Sequence, residues 1–427
     1  MSETPLPRWL DERLPARTPR TLTAWIGIAL AVGLPLGLLA HRSETLLLLM
    51  TPLVAIGAIF VGCLKTLIIP IIVTSLAVGV ANVGDTARLG RLGAGAATYY
   101  LGTTALAALL GLGLVNLIKP GVGTDLSEGD YSMPDKALPG EGMGVGDMLM
   151  DIFGNTLLHP VESAASGDII TIIVLTLLGS VGLLLVGAPA RPIVRGLQWG
   201  EGLVMAVVKN VMWLAPPAVV GLLVASLGEH GIGLLVGLGK YCLTVLLALG
   251  IHGFLVLPLI VLLFARRSPV KWLRGIRPAM AVAFSTASSS ATLPVTIATC
   301  ENNLDVPKPI ASFVLPLGAT MNMDGTALYE AIAALFVAQA LGMDLSSGQQ
   351  VIVLITAMAA SVGAAGIPSA GIVTMVMVFE SVGLPLWPLG AIYAVDRVLD
   401  MCRTVVNVMG DTAGSVVLTR QMGGEVR

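Results

Sequence analysis

The chain has 427 residues, 55% of them hydrophobic and 12% charged, with a formal net charge of −2 and a mean hydropathy of +0.89. A soluble domain carries about 25% charged residues, so this composition defines an integral membrane protein whose first partner is the lipid bilayer. The near-neutral charge gives no footprint for nucleic acid. Cys63, Cys242, Cys300 and Cys402 lie in or beside apolar segments without metal-ligand spacing, and read as buried thiols.

Residues 1–21 are polar and Arg-rich, and read as a cytoplasmic segment without a removable signal peptide. Apolar segments follow near 22–40, 44–82, 94–118, 168–187, 197–227 and 233–265, giving six expected transmembrane spans over 22–265. Several exceed the ~20 residues a bilayer requires, so they tilt, kink or project into water. Fifty glycines point to close helix packing and interrupted helices. Between the third and fourth spans, 119–167 carries seven acids from Asp125 to Asp151 with only Lys136 among them, which fits a loose external loop.

The remaining apolar segments, 278–300, 309–340, 350–380 and 386–419, form a core over 270–419. Two of them are interrupted: "STASSSATLPVT" (285–296) and "SVGAAGIPSAG" (361–371) are poor continuous helices. Their freed backbone groups cannot be left in lipid, so each is expected to be a re-entrant helical hairpin with its tip buried in protein. The basic residues test this layout. Arg8 to Arg20, Arg88 and Arg91, Arg191 and Arg195, Arg266 to Arg277, and Arg420 and Arg427 share one face only if both hairpins return to their own side. That face is the cytoplasmic one, and it holds both termini. A hairpin followed by a polar-studded helix occurs twice with opposite orientation. Inverted repeats built on discontinuous segments point to a midplane site of a secondary transporter.

The last segment carries Asp396, Asp400, Arg403, Thr404, Asn407 and Asp411, which fall within an arc of about 100° on a helix. Leaving its four ionisable groups in lipid would cost on the order of 10 kcal/mol, so the stripe faces protein or water. One alternative is an internally neutralised ladder of Arg403 with Asp400 and Asp396. The other is a ligand site, because three acids against one base suit bound cations and a guanidinium fork suits a carboxylate. In "NMDGTALYE", Asn322, Asp324 and Thr326 are spaced by two, which no α-helix places on one face. A local break there would offer a hard-cation site of oxygen donors, with a glycine kink used for packing as the structural alternative. Glu330, alone in an apolar wall, can carry a proton or act as a permanently neutral hydrogen bonder. Tyr100, Thr103 and Thr104 share one side of the third span, most often a packing pattern, and His41, His159, His230 and His252 form no cluster.

In combination and order, "SSSATLP", "GATMNMDGTALYE", "AAGIPSAG" and "DMCRTVVNVMGD" resemble the glutamate/aspartate transporters, the dicarboxylate/amino acid:cation symporters that include excitatory amino acid transporters. The resemblance covers all spans and is most specific from Phe284 to Ser415. It implies an all-α fold of eight transmembrane helices and two re-entrant hairpins (278–300 and 350–380), with helix 7 at 309–340 and helix 8 at 386–419. The assembly implied is a homotrimer whose core moves like an elevator against a scaffold formed mainly by 22–265.

The implied substrate is an acidic amino acid. Arg403 would hold its side-chain carboxylate, Asp400 its amino group, with Thr404 and Asn407 beside it. Ser288, Ser289 and Ser290 and the tip Ile367, Pro368, Ser369, Ala370 and Gly371 would close on the α-carboxylate, helped by Thr326. One Na⁺ would use Gly318, Asn322, Asn407 and Asp411. A second would use Thr320, Met323, Ser361, Val362 and Ala364. A third would use Tyr100, Thr103, Thr104, Asn322 and Asp324. Glu330 matches animal members and brings H⁺ and K⁺ coupling into the expectation. Ala287 stands where animal members have Ser and archaeal ones Arg.

The alternative within transport is a C4-dicarboxylate:cation symporter, which would leave Asp400 without an amino group to bind. An intramembrane aspartyl protease needs two carboxyls sharing a proton, and here a guanidinium intervenes. A passive channel would differ in lacking uphill accumulation. The absence of any N-x-S/T sequon is compatible with a bacterial inner membrane.

Overall fold

The computed structural model describes residues 19–82, 90–124, 161–162, 169–363 and 370–422, and among them every regular element is helical. Most of the N-terminal segment, most of the external loop and the tip residues Ala364, Ile367, Pro368 and Ser369 therefore lie outside the described residues. The leading helices are Pro19–Ala40, Thr51–Ile71, Gly90–Ile118, Ile169–Val186, Arg191–Val211 and Ala215–Ile251. Thr51–Ile71 contains Pro70 and passes directly into a π turn at Ile72–Leu76. A proline that removes a ladder hydrogen bond is a common origin of such irregularity.

Two expected spans differ from the structure. The fifth, read as 197–227, is divided by a short 3₁₀ turn at Met212–Leu214. Its first half belongs to Arg191–Val211, whose polar and apolar residues alternate at helical spacing. Its second half runs on through "GEHGIG" without interruption to Ile251, and continues by π turns to Ala265. Glycine costs a helix only ~1 kcal/mol per residue, which packing against Pro19–Ala40 and Thr51–Ile71 readily offsets. By length and composition alone, Leu92–Ile118 and Gly233–Ala265 are long and apolar enough to cross a membrane. Large apolar side chains such as Leu117, Leu185 and Leu243 face outward, as they would toward lipid.

The C-terminal region is built of interrupted helices. The first hairpin has arms Arg277–Thr286 and Ser289–Asn303. Between them Ala287 takes a left-handed conformation (φ 47°, ψ 41°), and extended Ser288 caps the second arm by accepting a hydrogen bond from Ala291 N at 3.1 Å. The next helix is broken at Asn322–Met323 into Lys308–Met321 and Asp324–Ala340. The second hairpin has arms Ser347–Gly363 and Ala370–Ser381. The last helix, Leu389–Gln421, packs against both arms of the first hairpin, both halves of the broken helix and the long 215–251 helix. The core thus converges on its polar stripe.

Candidate substrate and cation site

Asp396, Asp400, Arg403, Thr404, Asn407 and Asp411 are all buried. Helical spacing puts them on one face, and that face is turned to the break at Asn322–Met323. Gly325 is not the kink. It is the second residue of the restarted helix, and a Cβ there would lie 2.7 Å from the Arg403 carbonyl oxygen. Glycine at this point lets two helices meet at backbone distance, and Gly325 N donates to Asn407 Oδ1 at 2.8 Å.

Arg403 is 1% exposed and makes two ion pairs: Nη1 with Asp396 Oδ1 at 2.9 Å and Nη2 with Asp400 Oδ1 at 2.7 Å. Its guanidinium lies 3.9 Å from the centre of the Tyr329 ring. Arg397, at the edge of the site, reaches Asp400 Oδ2 at 3.5 Å. The ladder geometry is therefore present, and the guanidinium separates the two carboxylates as no catalytic aspartate pair would allow. The start of the second hairpin's second arm touches the same group: a Cβ on Gly371 would lie 3.2 Å from Arg403 Cζ. Ala370 is buried beside it.

A second cluster of oxygen donors gathers about 322–324. Asn322 Nδ2 donates to Asp411 Oδ1 at 2.9 Å, and Thr103 Oγ1 lies 3.3 Å from Asn322 Oδ1. Thr104 Oγ1 donates to Asp324 Oδ1 at 2.8 Å. Tyr100 OH donates to Val314 O at 2.8 Å, and Gly318 leaves room where a Cβ would meet Asp411 Oδ1 at 2.5 Å and Tyr100 OH at 2.7 Å. Asn407 Nδ2 reaches Thr326 Oγ1 at 3.4 Å. These are carboxylate, amide and hydroxyl oxygens, a donor set that suits a hard monovalent cation. The Thr/Tyr face of Gly90–Ile118 is thus part of the cluster rather than packing alone.

Other expected residues fall differently. Ser289 is buried and Ser290 faces outward at the first hairpin tip. Thr320 and Ser361 donate their hydroxyl hydrogens within their own helices, to Leu317 O at 3.0 Å and Met358 O at 2.8 Å. Met323 is buried with its sulfur 3.9 Å from Thr326 Oγ1, and Val362 is buried on the neighbouring arm. Glu330 is fully buried, with Oε1 accepting from Thr374 Oγ1 at 2.5 Å and Oε2 without a hydrogen-bond partner among the described residues.

Sequence reasoning missed three participants. Tyr329 lies inside the quoted motif. Thr374 sits one helical turn past Ala370. His252, set aside as unclustered, places Nε2 at 3.0 Å from Asp324 Oδ2 with both side chains fully buried. A polar ring inside an apolar span was itself a signal.

The fold and site define an all-helical protein with an outward-facing apolar surface and a buried charged centre built on interrupted helices. The sequence model of the Sodium:dicarboxylate symporter family matches residues 22–421, and the chain belongs to that family. Its members are transporters, not enzymes. Among its relatives, "Neutral amino acid transporter B(0)" of Oryctolagus cuniculus is 36% identical, over 95% of this chain and 80% of that protein. "Putative sodium-dependent excitatory amino acid transporter glt-4" of Caenorhabditis elegans is 36% identical over 85% of this chain and 82% of its own length. "Neutral amino acid transporter A" of Homo sapiens is 35% identical over 85% and 74%.

Proposed function

We propose that this chain is a sodium-coupled symporter of acidic amino acids. The observation that carries the reading is charge. Among the described residues Asp324, Glu330, Asp396, Asp400 and Asp411 are five buried carboxyl groups beside two guanidiniums, the fully buried Arg403 and Arg397 at the edge of the site. Such an excess is costly in low dielectric, and cations entering with the substrate would relieve it. In this reading Arg403 receives the substrate's side-chain carboxylate and Asp400 its amino group, with Thr404, Asn407 and Thr326 alongside and the two hairpin tips closing over the α-carboxylate. The oxygen cluster about Asn322, Asp324 and Asp411 takes Na⁺, and Glu330 carries H⁺ inward or helps hold K⁺ on the return.

The moving unit comprises 270–419 together with the Tyr100–Thr104 face and the His252 turn, which share the site. Eight transmembrane helices, two re-entrant hairpins, a homotrimer in the bacterial inner membrane, cytoplasmic termini and elevator motion belong to the same proposal. The basic clusters support the orientation.

Relatives named for neutral amino acids favour a second reading, in which the substrate has no side-chain carboxylate. The buried guanidinium weighs against it. The test is uptake of labelled aspartate, glutamate, alanine and succinate into proteoliposomes under imposed Na⁺, H⁺ and K⁺ gradients. Uphill accumulation of aspartate or glutamate on an inward Na⁺ gradient supports the proposal. Preference for alanine supports the neutral reading, preference for succinate the C4-dicarboxylate one, and gradient-independent equilibration a channel.

A further inference from the structure

The carboxylate of Asp324, first residue of the restarted helix, is held from two sides. Oδ1 accepts from Thr104 Oγ1 at 2.8 Å on the helix Gly90–Ile118. Oδ2 lies 3.0 Å from His252 Nε2, at the start of the π turn His252–Val256. A π turn inserts a residue into the helical ladder and re-aims what it carries, frequently at functional sites. His252 is 0% exposed, and its Nδ1 has no hydrogen-bond partner among the described residues. A carboxylate only accepts, so the ring donates from Nε2. Gly410 of the last helix flanks the same oxygen: a Cβ there would lie 3.1 Å from Asp324 Oδ2 and 2.5 Å from Asn322 Nδ2.

We infer that His252 is a positioning residue for the cation site: its Nε2–H fixes the Asp324 carboxylate in the one orientation that presents its free lone pairs to Na⁺. The inference rests on the sodium reading above. One donor on each oxygen leaves acceptor capacity on both, since a carboxylate has about four lone-pair sites. With the imidazole gone, Oδ2 loses this partner and the group can turn toward the Asn322 amide. That amide now serves Asp411 Oδ1 at 2.9 Å, so a rotation at Asp324 would disturb both acids. Groups that hold a metal ligand by its outer face typically govern affinity by 10–100-fold.

The test uses the full-length protein and Na⁺ itself. Thermal unfolding is followed in detergent in choline chloride, then across a Na⁺ titration without substrate. The Na⁺-free midpoint reports folding, and the Na⁺-dependent increment reports the site. His252→Leu should raise the Na⁺ concentration for half-maximal stabilisation roughly tenfold. His252→Gln, whose amide can donate from a similar place, should stay close to native. A native-like Na⁺ midpoint in His252→Leu overturns the inference, and so does a His252→Gln variant as weak as His252→Leu. If the native protein gains no stability from Na⁺, or Asp324→Asn leaves that gain unchanged, it is the sodium reading that falls.

Discussion

Arg403→Cys is the perturbation that bears most directly on substrate choice. The side chain is 1% exposed, pairs with Asp396 at 2.9 Å and Asp400 at 2.7 Å, and stacks 3.9 Å from the Tyr329 ring. Removing one member of a buried ion pair costs ~3–5 kcal/mol, because the partner is left charged and unpaired. The variant is therefore expected to unfold earlier as well as to lose acidic substrates. Arg403→Cys combined with Asp396→Asn separates these effects, since neutralising the orphaned carboxyl removes much of the stability cost but restores no carboxylate site. Two charge-assisted bonds to a substrate carboxylate are worth at least ~3 kcal/mol, or roughly a hundredfold in affinity. The assay is thermal unfolding in detergent for stability, and competition of labelled aspartate by glutamate, serine and alanine for selectivity. Both variants should lose aspartate, and the double variant should carry small neutral amino acids. Native aspartate affinity in the better-folded double variant would refute the reasoning, as would equal instability of single and double variants.

Asp324→Asn and Asp411→Asn each remove one charge from the oxygen cluster, and each should raise the Na⁺ concentration for half-maximal substrate binding by at least tenfold, measured by isotope binding. A Na⁺-independent native protein would contradict this. Glu330→Gln keeps the acceptor for Thr374 while fixing the side chain neutral. Exchange of internal for external substrate should persist, the pH dependence of net uptake should flatten, and any stimulation by internal K⁺ should vanish. Equal K⁺ stimulation in native and variant would make Glu330 structural. Gly318→Ala would drive a Cβ to 2.5 Å from Asp411 Oδ1. Overpacking of that kind costs ~1–3 kcal/mol, and Na⁺ titration of thermal stability should show a weakened site.

What the sequence determined by itself is whatever one element's periodicity can express. Composition required a membrane protein. The 100° arc from Asp396 to Asp411 required one polar face, because residues on a single helix have fixed angular relations whatever surrounds them. The spacing of two in "NMDGT" required a break, and the small residues with proline at 285–296 and 361–371 required interrupted helices. The order of these motifs was specific enough to indicate the family. Where the chain's preference is weak, the sequence could not decide. Glycines and a histidine at 228–233 look like a loop, yet packing against two other helices carries the helix straight through them. Contacts between distant segments were beyond it altogether. Thr374 meets Glu330 across 44 residues and His252 meets Asp324 across 72. No local pattern encodes such pairs, because they arise only when separate helices dock at a particular rotation and depth. The same docking decided that Arg403 rests between Asp396 and Asp400 with Tyr329 beneath it, and that glycines at 318, 325 and 410 are there to admit neighbouring atoms rather than to bend the chain.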